Sequence, residues 1–333
     1  MNRSVEYRLS RYVHNPLRVF APHGYSVDQY SESDFVKAYR SLLERVKKPA
    51  VCIIEHTGFS GLIAVNEQLG IPTISCIQNL EALDAQNHIC SSRLGFQAQM
   101  LYLANEIKVL GRCTTRLFIS KVEAGFISGL GLPSHYYPYL PVGEIQFRLK
   151  KIAEARQQGA LKPGLFLIVG SAAHSSTGEA ITWFVRQAQR NGLPKGIRIV
   201  VGGSHTDQLL PKGEKVEAVE LRGTLDQEEL ERLLIEATAV LIPQFRGFGG
   251  VTRLPEMACA AVPVLVSEHP TFAIDAPPNV EIVDNNWQAW WRELEKLSHS
   301  PSFIKVTHRD YLAWEQSQRK TLTEVLGDSG LHI

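Results

Sequence analysis

The stretch "RGFGGVTRLPEMACAAVPVLV" at residues 246–266 joins a glycine-rich start to an apolar end. Glycine costs backbone entropy inside a regular element, so Gly247, Gly249 and Gly250 predict a loop whose backbone must approach something closely. Just upstream, "AVLI" at 239–242 reads as a buried strand. Downstream, Thr252 is placed as the N-cap of a helix over 253–260, with Pro255 in the first turn, where a missing N–H costs little. Free amides and the positive dipole end at such a helix start favour an anion. With Arg246 and Arg253 beside the amides of Gly249, Gly250, Val251 and Thr252, the expected guest is a pyrophosphate. Glu256, one turn in, is placed to accept from paired sugar hydroxyls, as acidic residues do in other nucleotide-binding α/β domains. Read without a ligand, the glycines serve a tight turn and the glutamate only favours the helix dipole.

Outward from this segment, short Val/Ile/Leu-rich runs alternate with amphipathic stretches, the pattern of βαβ units and parallel sheets. Strands are expected at 18–21, 51–55, 73–77 and 116–120 in the first half. In the second they are expected at 165–169, 197–201, 219–221, 239–242, 264–267 and 281–283. Helices are expected at 32–46, 60–69 and 121–129, then at 178–191, 226–236, 253–260 and 287–297, with a last helical stretch over 307–326. Trp287, Trp290 and Trp291 have helical spacing and are read as a face packed on a sheet. The charged segment 145–163 is poor in β-formers and is taken as the boundary between two domains. The expected division is 1–150, 151–306 and a C-terminal helix at 307–333 that packs back towards the N-terminal domain.

Composition bounds the function. The 333 residues are 44% hydrophobic and 21% charged, enough for two domain cores. A formal net charge of +1 without a dense basic block disfavours nucleic acid. The cysteines Cys52, Cys76, Cys90, Cys113 and Cys259 are odd in number and never spaced as CxxC, so reduced thiols are expected, with neither a disulfide framework nor a zinc site. The first twenty residues carry charge throughout, and no apolar run nears the roughly 20 residues of a membrane span. A cytoplasmic protein is expected, and docking on the inner face of a membrane stays open. No GxSxG elbow and no GxGxxG between a strand and a helix is present, which argues against serine hydrolysis and nicotinamide chemistry.

Five ordered blocks of the second half resemble the donor domain of GT-B glycosyltransferases of the family-four-like group: "LFLIVGSAAHSSTGEAITWFV" (165–185), "IRIVVGG" (197–203), "VELRGTLDQEELERLL" (219–234), "AVLIPQFRGFGGVTRLPEMACAAVPVLVS" (239–267) and "VEIVDNNWQAWWREL" (280–294). The first half is similar more weakly. "IIEHTGFSGLIAVNEQLGIPTISCIQNLEA" (53–82) resembles the acceptor domain's strand, helix and "HN-E" turn, with Gln78 replacing the usual histidine and Asn79 and Glu81 retained. "TTRLFISKVEAGFISGLGLP" (114–133) and "YYPYLPVG" (137–143) resemble the approach to the interdomain linker.

The resemblance implies an α/β GT-B architecture: two Rossmann-like, doubly wound parallel-sheet domains facing a cleft. It implies that Glu256 binds the nucleotide's ribose, and that Gly247, Gly249 and Arg253 bind the donor diphosphate. Turns at Gly170-Ser171 and Gly223-Thr224 would lie near the nucleotide, with Gly203 and Gly223 near the base. It also implies a nucleoside diphosphate sugar as donor substrate, no cofactor and no metal, and retention at the anomeric carbon. Two departures stand out. Many relatives carry an acid eight residues before the ribose-binding glutamate, contacting the transferred sugar, where this chain has Phe248. The usual glycine-rich opening is not found in residues 1–30; "RVFAPHGYSVDQY" (18–30), with His23 and Gly24, is its candidate remnant, so the N-terminal domain is read as shortened.

The expected function is hexosyl transfer to an acceptor hydroxyl on a glycan, glycolipid or small molecule, as in polysaccharide biosynthesis. Arg246 and Arg253 would stabilise the leaving diphosphate without a metal. The alternative is a noncatalytic nucleotide-sugar-binding subunit or scaffold, motivated by Phe248 and the shortened start. His56 and His174 follow strands at their carboxyl ends and are candidates for positioning the sugar or moving protons.

Overall fold

A computed structural model describes residues 33–46, 49, 51–84, 93–159, 161–211, 213–300, 306–320, 324–325 and 327. The chain divides into two units, Met1–Tyr137 with Lys320–Ile333, and Pro138–Arg319. Every strand pairing within the two sheets is parallel.

In the first unit, strands β1 (Cys52–Ile54), β2 (Thr73–Ile77), β3 (Thr115–Phe118) and β4 (His135–Tyr136) lie in the order β1-β2-β3-β4. The four residues of β3 are all buried, as are four of the five in β2, as expected of a parallel sheet covered on both faces. Helices α1 (Ser33–Arg45), α2 (Ser60–Leu69), α3 (Glu81–Asp84), α4 (Arg93–Gly111) and α5 (Lys121–Gly129) accompany these strands. Leu43 of α1 packs with Val65 and Ile71; Ile77, Leu110, Phe118 and Ile127 form another cluster.

The second unit holds β5 (Leu165–Val169), β6 (Arg198–Gly202), β7 (Val219–Gly223), β8 (Ala239–Ile242), β9 (Val264–Ser267) and β10 (Val280–Val283), ordered β10-β9-β8-β5-β6-β7. Numbered within the unit, this is 6-5-4-1-2-3, the doubly wound order of mononucleotide-binding halves, which reverses between β5 and β8. Strand alternation separates two cores. Leu165, Leu167, Val240 and Val264 face α6 (Gly143–Gln157), α8 (Gln227–Glu236), α9 (Arg253–Cys259) and α12 (His308–Gln318). Phe166, Ile168, Leu241 and Leu265 face α7 (Ser175–Asn191) and α11 (Trp287–His299). A short helix α10 (Glu268–Ala273) follows β9.

The expected strands at 73–77, 165–169, 239–242 and 264–267 match β2, β5, β8 and β9. Trp287 and Trp290 are buried against the sheet, while Trp291 is half-buried. The segment 145–163 holds most of α6, whose Leu149, Ile152 and Ala153 are buried, and the two compact units divide at Tyr137/Pro138. The C-terminal stretch is split: Tyr311 of α12 packs into the core of the second unit, whereas Val325 packs with Ile74 and Leu117 of the first. Helix α4 lies where the sequence carries no expected helix, and it buries Gln99 and Glu106 beside Tyr102, Val109 and Leu110.

Cys113 and Cys259 are buried, while Cys52 and Cys76 are half-buried, and all four are free thiols. The strand at 18–21, His23, Gly24 and Cys90 lie outside the described residues. Among the described residues no helix is long and apolar enough to cross a membrane.

Candidate functional site

Where strand order reverses, the loops leaving β5 and β8 diverge, and a doubly wound sheet binds its ligands outside the carboxyl ends of those strands. The segment 243–252 leaves β8 at this point, and the segment 170–174 leaves β5. Arg253, the first residue of α9, bridges the two: its Nη1 donates to the Val169 carbonyl at the end of β5. Gly170 leaves room for this contact. A Cβ there would meet Arg253 Nη1 at 3.0 Å and Thr177 Cγ2 at 2.6 Å.

Gly203 completes the floor. With φ +138, its missing Cβ would fall on the Gly170 carbonyl, so only glycine allows the β6 turn to lie against the β5 turn. Gly170 N–H donates to Gly202 O at 3.0 Å, Ala172 N–H to Ser204 O at 2.8 Å, and Gly203 N–H to Gly223 O at 2.7 Å. The Gly223 N–H in turn donates to Thr206 Oγ1 at 3.1 Å. Thus Gly170, Ser171, Gly203, Gly223 and Thr224 belong to one row of turns along the strand ends, with the Thr224 side exposed.

Glu256 lies one turn into α9, on the same helix as Arg253. Burial pushes its carboxyl pKa up, and the Tyr139 hydrogen bond and the Arg253 charge pull it back. Burial in turn lowers the Arg253 pKa, opposed by Glu256. A half-buried carboxylate and guanidinium on one short helix, beside the half-buried glycines that lead into it, form a charged pair able to bind a ligand with both phosphate and hydroxyl groups.

Other expected residues have partners of their own. Arg246 is exposed and its Nη2 pairs with Glu179 of α7, so in this structure its charge is already compensated. Thr252 stands at the expected N-cap position with helical backbone, φ −58 and ψ −25, and its side chain makes no cap hydrogen bond. Gly247 has φ +132 and its carbonyl takes a 2.9 Å contact from His269 Nε2; Gly249 has φ +76. Gly250 and Val251 are half-buried, and Phe248 is 40% exposed. His174 is exposed at the start of α7, with Nδ1 3.1 Å from Ser176 Oγ.

A second polar site belongs to the first unit. A cavity of about 270 Å³ is lined by Glu55, His56, Thr57, Phe59, Ile77, Gln78, Asn79 and Glu81. It lies at the carboxyl ends of β1 and β2. Gly58 N–H donates to His56 Nδ1 at 2.7 Å, which leaves the proton on Nε2, 3.1 Å from Glu81 Oε1. Beneath it, Glu106 is buried and accepts from Thr57 Oγ1 at 2.6 Å and from the Glu81 and Ala82 amides at 3.1 Å each. The structure therefore places His56, Asn79 and Glu81 together in one pocket of the first unit.

Sequence reasoning missed Tyr139, Glu106 and Glu179. Only Tyr139 carried a local signal, an aromatic between Pro138 and Pro141 in a segment otherwise read as linker.

No family model matches the sequence, and no curated protein matches it. Solved structures do match. Sucrose-phosphate synthase from Thermosynechococcus elongatus superposes with TM-score 0.61 at 15% identity, over 91% of this chain and 77% of that one. HepE from Anabaena, solved with UDP and glucose, gives TM-score 0.62 at 9% identity, over 93% and 83%. Trehalose 6-phosphate synthase from Burkholderia multivorans gives 0.58 at 13%, over 91% and 75%.

Proposed function

We propose that this chain, which has the two-domain GT-B fold, transfers a sugar from a nucleoside diphosphate sugar to an acceptor hydroxyl. The observation that carries this reading is the position of Arg253 and Glu256: both sit on the helix that starts at the switch between β5 and β8. In this reading the Glu256 carboxylate accepts from the ribose hydroxyls. Arg253 and the amides of Gly249 to Thr252 face the diphosphate. HepE has been solved with UDP, with UDP-glucose, and with UDP and glucose, which supports a nucleotide-linked donor here.

In the reaction, the bond between the anomeric carbon and the phosphate oxygen breaks, and a bond to the acceptor oxygen forms. The departing phosphate oxygen takes the bonding electron pair, and with it the proton that the acceptor hydroxyl gives up. Fixed amides and guanidinium groups that face this developing charge lower the barrier without reorganising. Hexosyl transfer, retention at the anomeric carbon and independence from metal are parts of the same proposal. His56, within 3.1 Å of Glu81, is the candidate partner for acceptor hydroxyls. The acceptor itself is left as a glycan, glycolipid or small molecule.

Phe248 favours a second reading. An exposed phenyl ring stands where relatives of similar sequence pattern carry a sugar-contacting acid, so a nucleotide-sugar-binding subunit without transfer activity is the alternative. Thermal unfolding with UDP, GDP and ADP, followed by a hydrolysis assay on the matching glucose and mannose donors, separates the two. Stabilisation with donor consumption supports the transferase; stabilisation without consumption supports the subunit. No stabilisation by any nucleotide rejects both.

A further inference from the structure

We propose that Tyr139 is the positioning residue of Glu256, holding its carboxylate in the orientation that presents the remaining oxygen to the ligand. Tyr139 Oη donates to Glu256 Oε1 at 2.9 Å across 117 residues of sequence. Among the described residues no other hydrogen-bond donor reaches this carboxylate. The carboxylate is attached through a flexible side chain to a helix of seven residues, so its direction is set by whatever it bonds to.

The phenol is well placed to set that direction. Pro138 and Pro141, both buried, flank it, and each fixes its own φ while restricting the residue before it. The segment is thereby stiff on either side of Tyr139, just before α6 begins. Burial raises the Tyr139 pKa first, and the Glu256 charge raises it further, so the phenol keeps its proton and acts as donor. A hydrogen bond to a charged acceptor is directional, and here it occupies Oε1, while among the described residues no donor reaches Oε2.

This inference rests on the ribose-binding role given to Glu256 above, and the two can fail separately. UDP, GDP and ADP are each titrated as the ribose form and as the 2′,3′-dideoxyribose form, against the wild-type chain and Tyr139→Phe. The wild type is expected to bind one ribonucleotide about tenfold or more tightly over its dideoxy form, the effect of losing hydrogen bonds to a charged group. In Tyr139→Phe that ratio is expected to fall to about threefold or less, with the dideoxy affinity nearly unchanged. A role confined to holding the segment in place would weaken both forms equally and leave the ratio intact.

If the wild type shows no ribose preference with any nucleotide, the Glu256 reading fails and this one with it. If the preference is present and equal in both proteins, only the role of Tyr139 is overturned. Should Tyr139→Phe not fold, 3-fluorotyrosine placed at 139 in the otherwise unchanged chain gives the same decision. Its fluorine resonance is expected to move with the ribonucleotide and to stay within error with the dideoxy form; equal movement with both overturns the proposal.

Discussion

Thr57 Oγ1 lies 2.6 Å from Glu106 Oε1, a buried hydrogen bond that ties the turn carrying His56 to a helix 49 residues away. Through its other bonds the same carboxyl caps the amides of Glu81 and Ala82, at the start of α3. One carboxyl therefore fixes both walls of the first unit's pocket.

Burial pushes the Glu106 carboxyl up to about 7, with its three hydrogen bonds pulling the other way. A carboxyl raised in the folded state contributes stability that is fully present below its unfolded value of 4.5 and is lost as pH rises through about 7. The wild type should lose this contribution between those values, and Glu106→Gln should not. Urea unfolding at pH 5 and pH 8 measures it: the variant is expected to be destabilised more at pH 5 than at pH 8. A difference between wild type and variant that is the same at both pH values shows that Glu106 does not titrate in this window.

Arg253→Ala removes the guanidinium that spans the switch point from α9 to the end of β5. If it faces the donor diphosphate, turnover should fall by about 10²–10³-fold, the size of effect seen on losing one preorganised donor to developing charge. Arg253→Lys should recover only part of this, because an ammonium is a point charge and cannot make planar contacts. Donor consumption at saturating donor is the measurement, with thermal unfolding run beside it to exclude a misfolded variant. Turnover unchanged in Arg253→Ala would remove Arg253 from the proposed chemistry.

Much of the second unit was legible because its signals are local. A run such as Ala239–Ile242, buried at all four residues, needs no distant partner to be recognised, and glycines mark where it ends. The helix of Trp287 and Trp290 was readable for the same reason, since their three-residue spacing puts both on one buried face. What escaped is pairwise and distant. Tyr139 with Glu256, Arg246 with Glu179 and Thr57 with Glu106 are separated by 117, 67 and 49 residues, and no local period marks either partner. Arg246 shows the consequence: its sequence neighbourhood suggested a free cation, and only the fold brings Glu179 to it.

Gly203→Ala tests the row of turns. The native φ of +138 disfavours any Cβ, and the added carbon would also fall on the Gly170 carbonyl. Gly192→Ala is the control, with φ +73 and nothing within 4 Å of the added carbon. The control is expected to cost about 1 kcal/mol from backbone strain alone, and Gly203→Ala at least about 2 kcal/mol more. Chemical unfolding of both variants decides: equal losses would mean that the two turns part without cost.

Arg156 of α6 holds together a different part of the second unit. Its Nη1 donates to the carbonyls of Leu234, Ile235 and Ala237 at 2.6, 3.1 and 2.7 Å, and its Nε to Ala261 O at 3.0 Å. The last carbonyls of a helix have no partners within it, and here α8 ends on this guanidinium. Burial lowers its pKa to about 10, so it stays charged at neutral pH. Arg156→Met keeps most of the apolar stem but strands several carbonyls, each costing about 1–3 kcal/mol when buried and unpaired. A loss of about 3–5 kcal/mol is expected in urea unfolding, with Arg156→Lys recovering less than half because its ammonium lacks the planar fork. A loss under about 1 kcal/mol in Arg156→Met would mean that water takes over these carbonyls and that the end of α8 does not depend on α6.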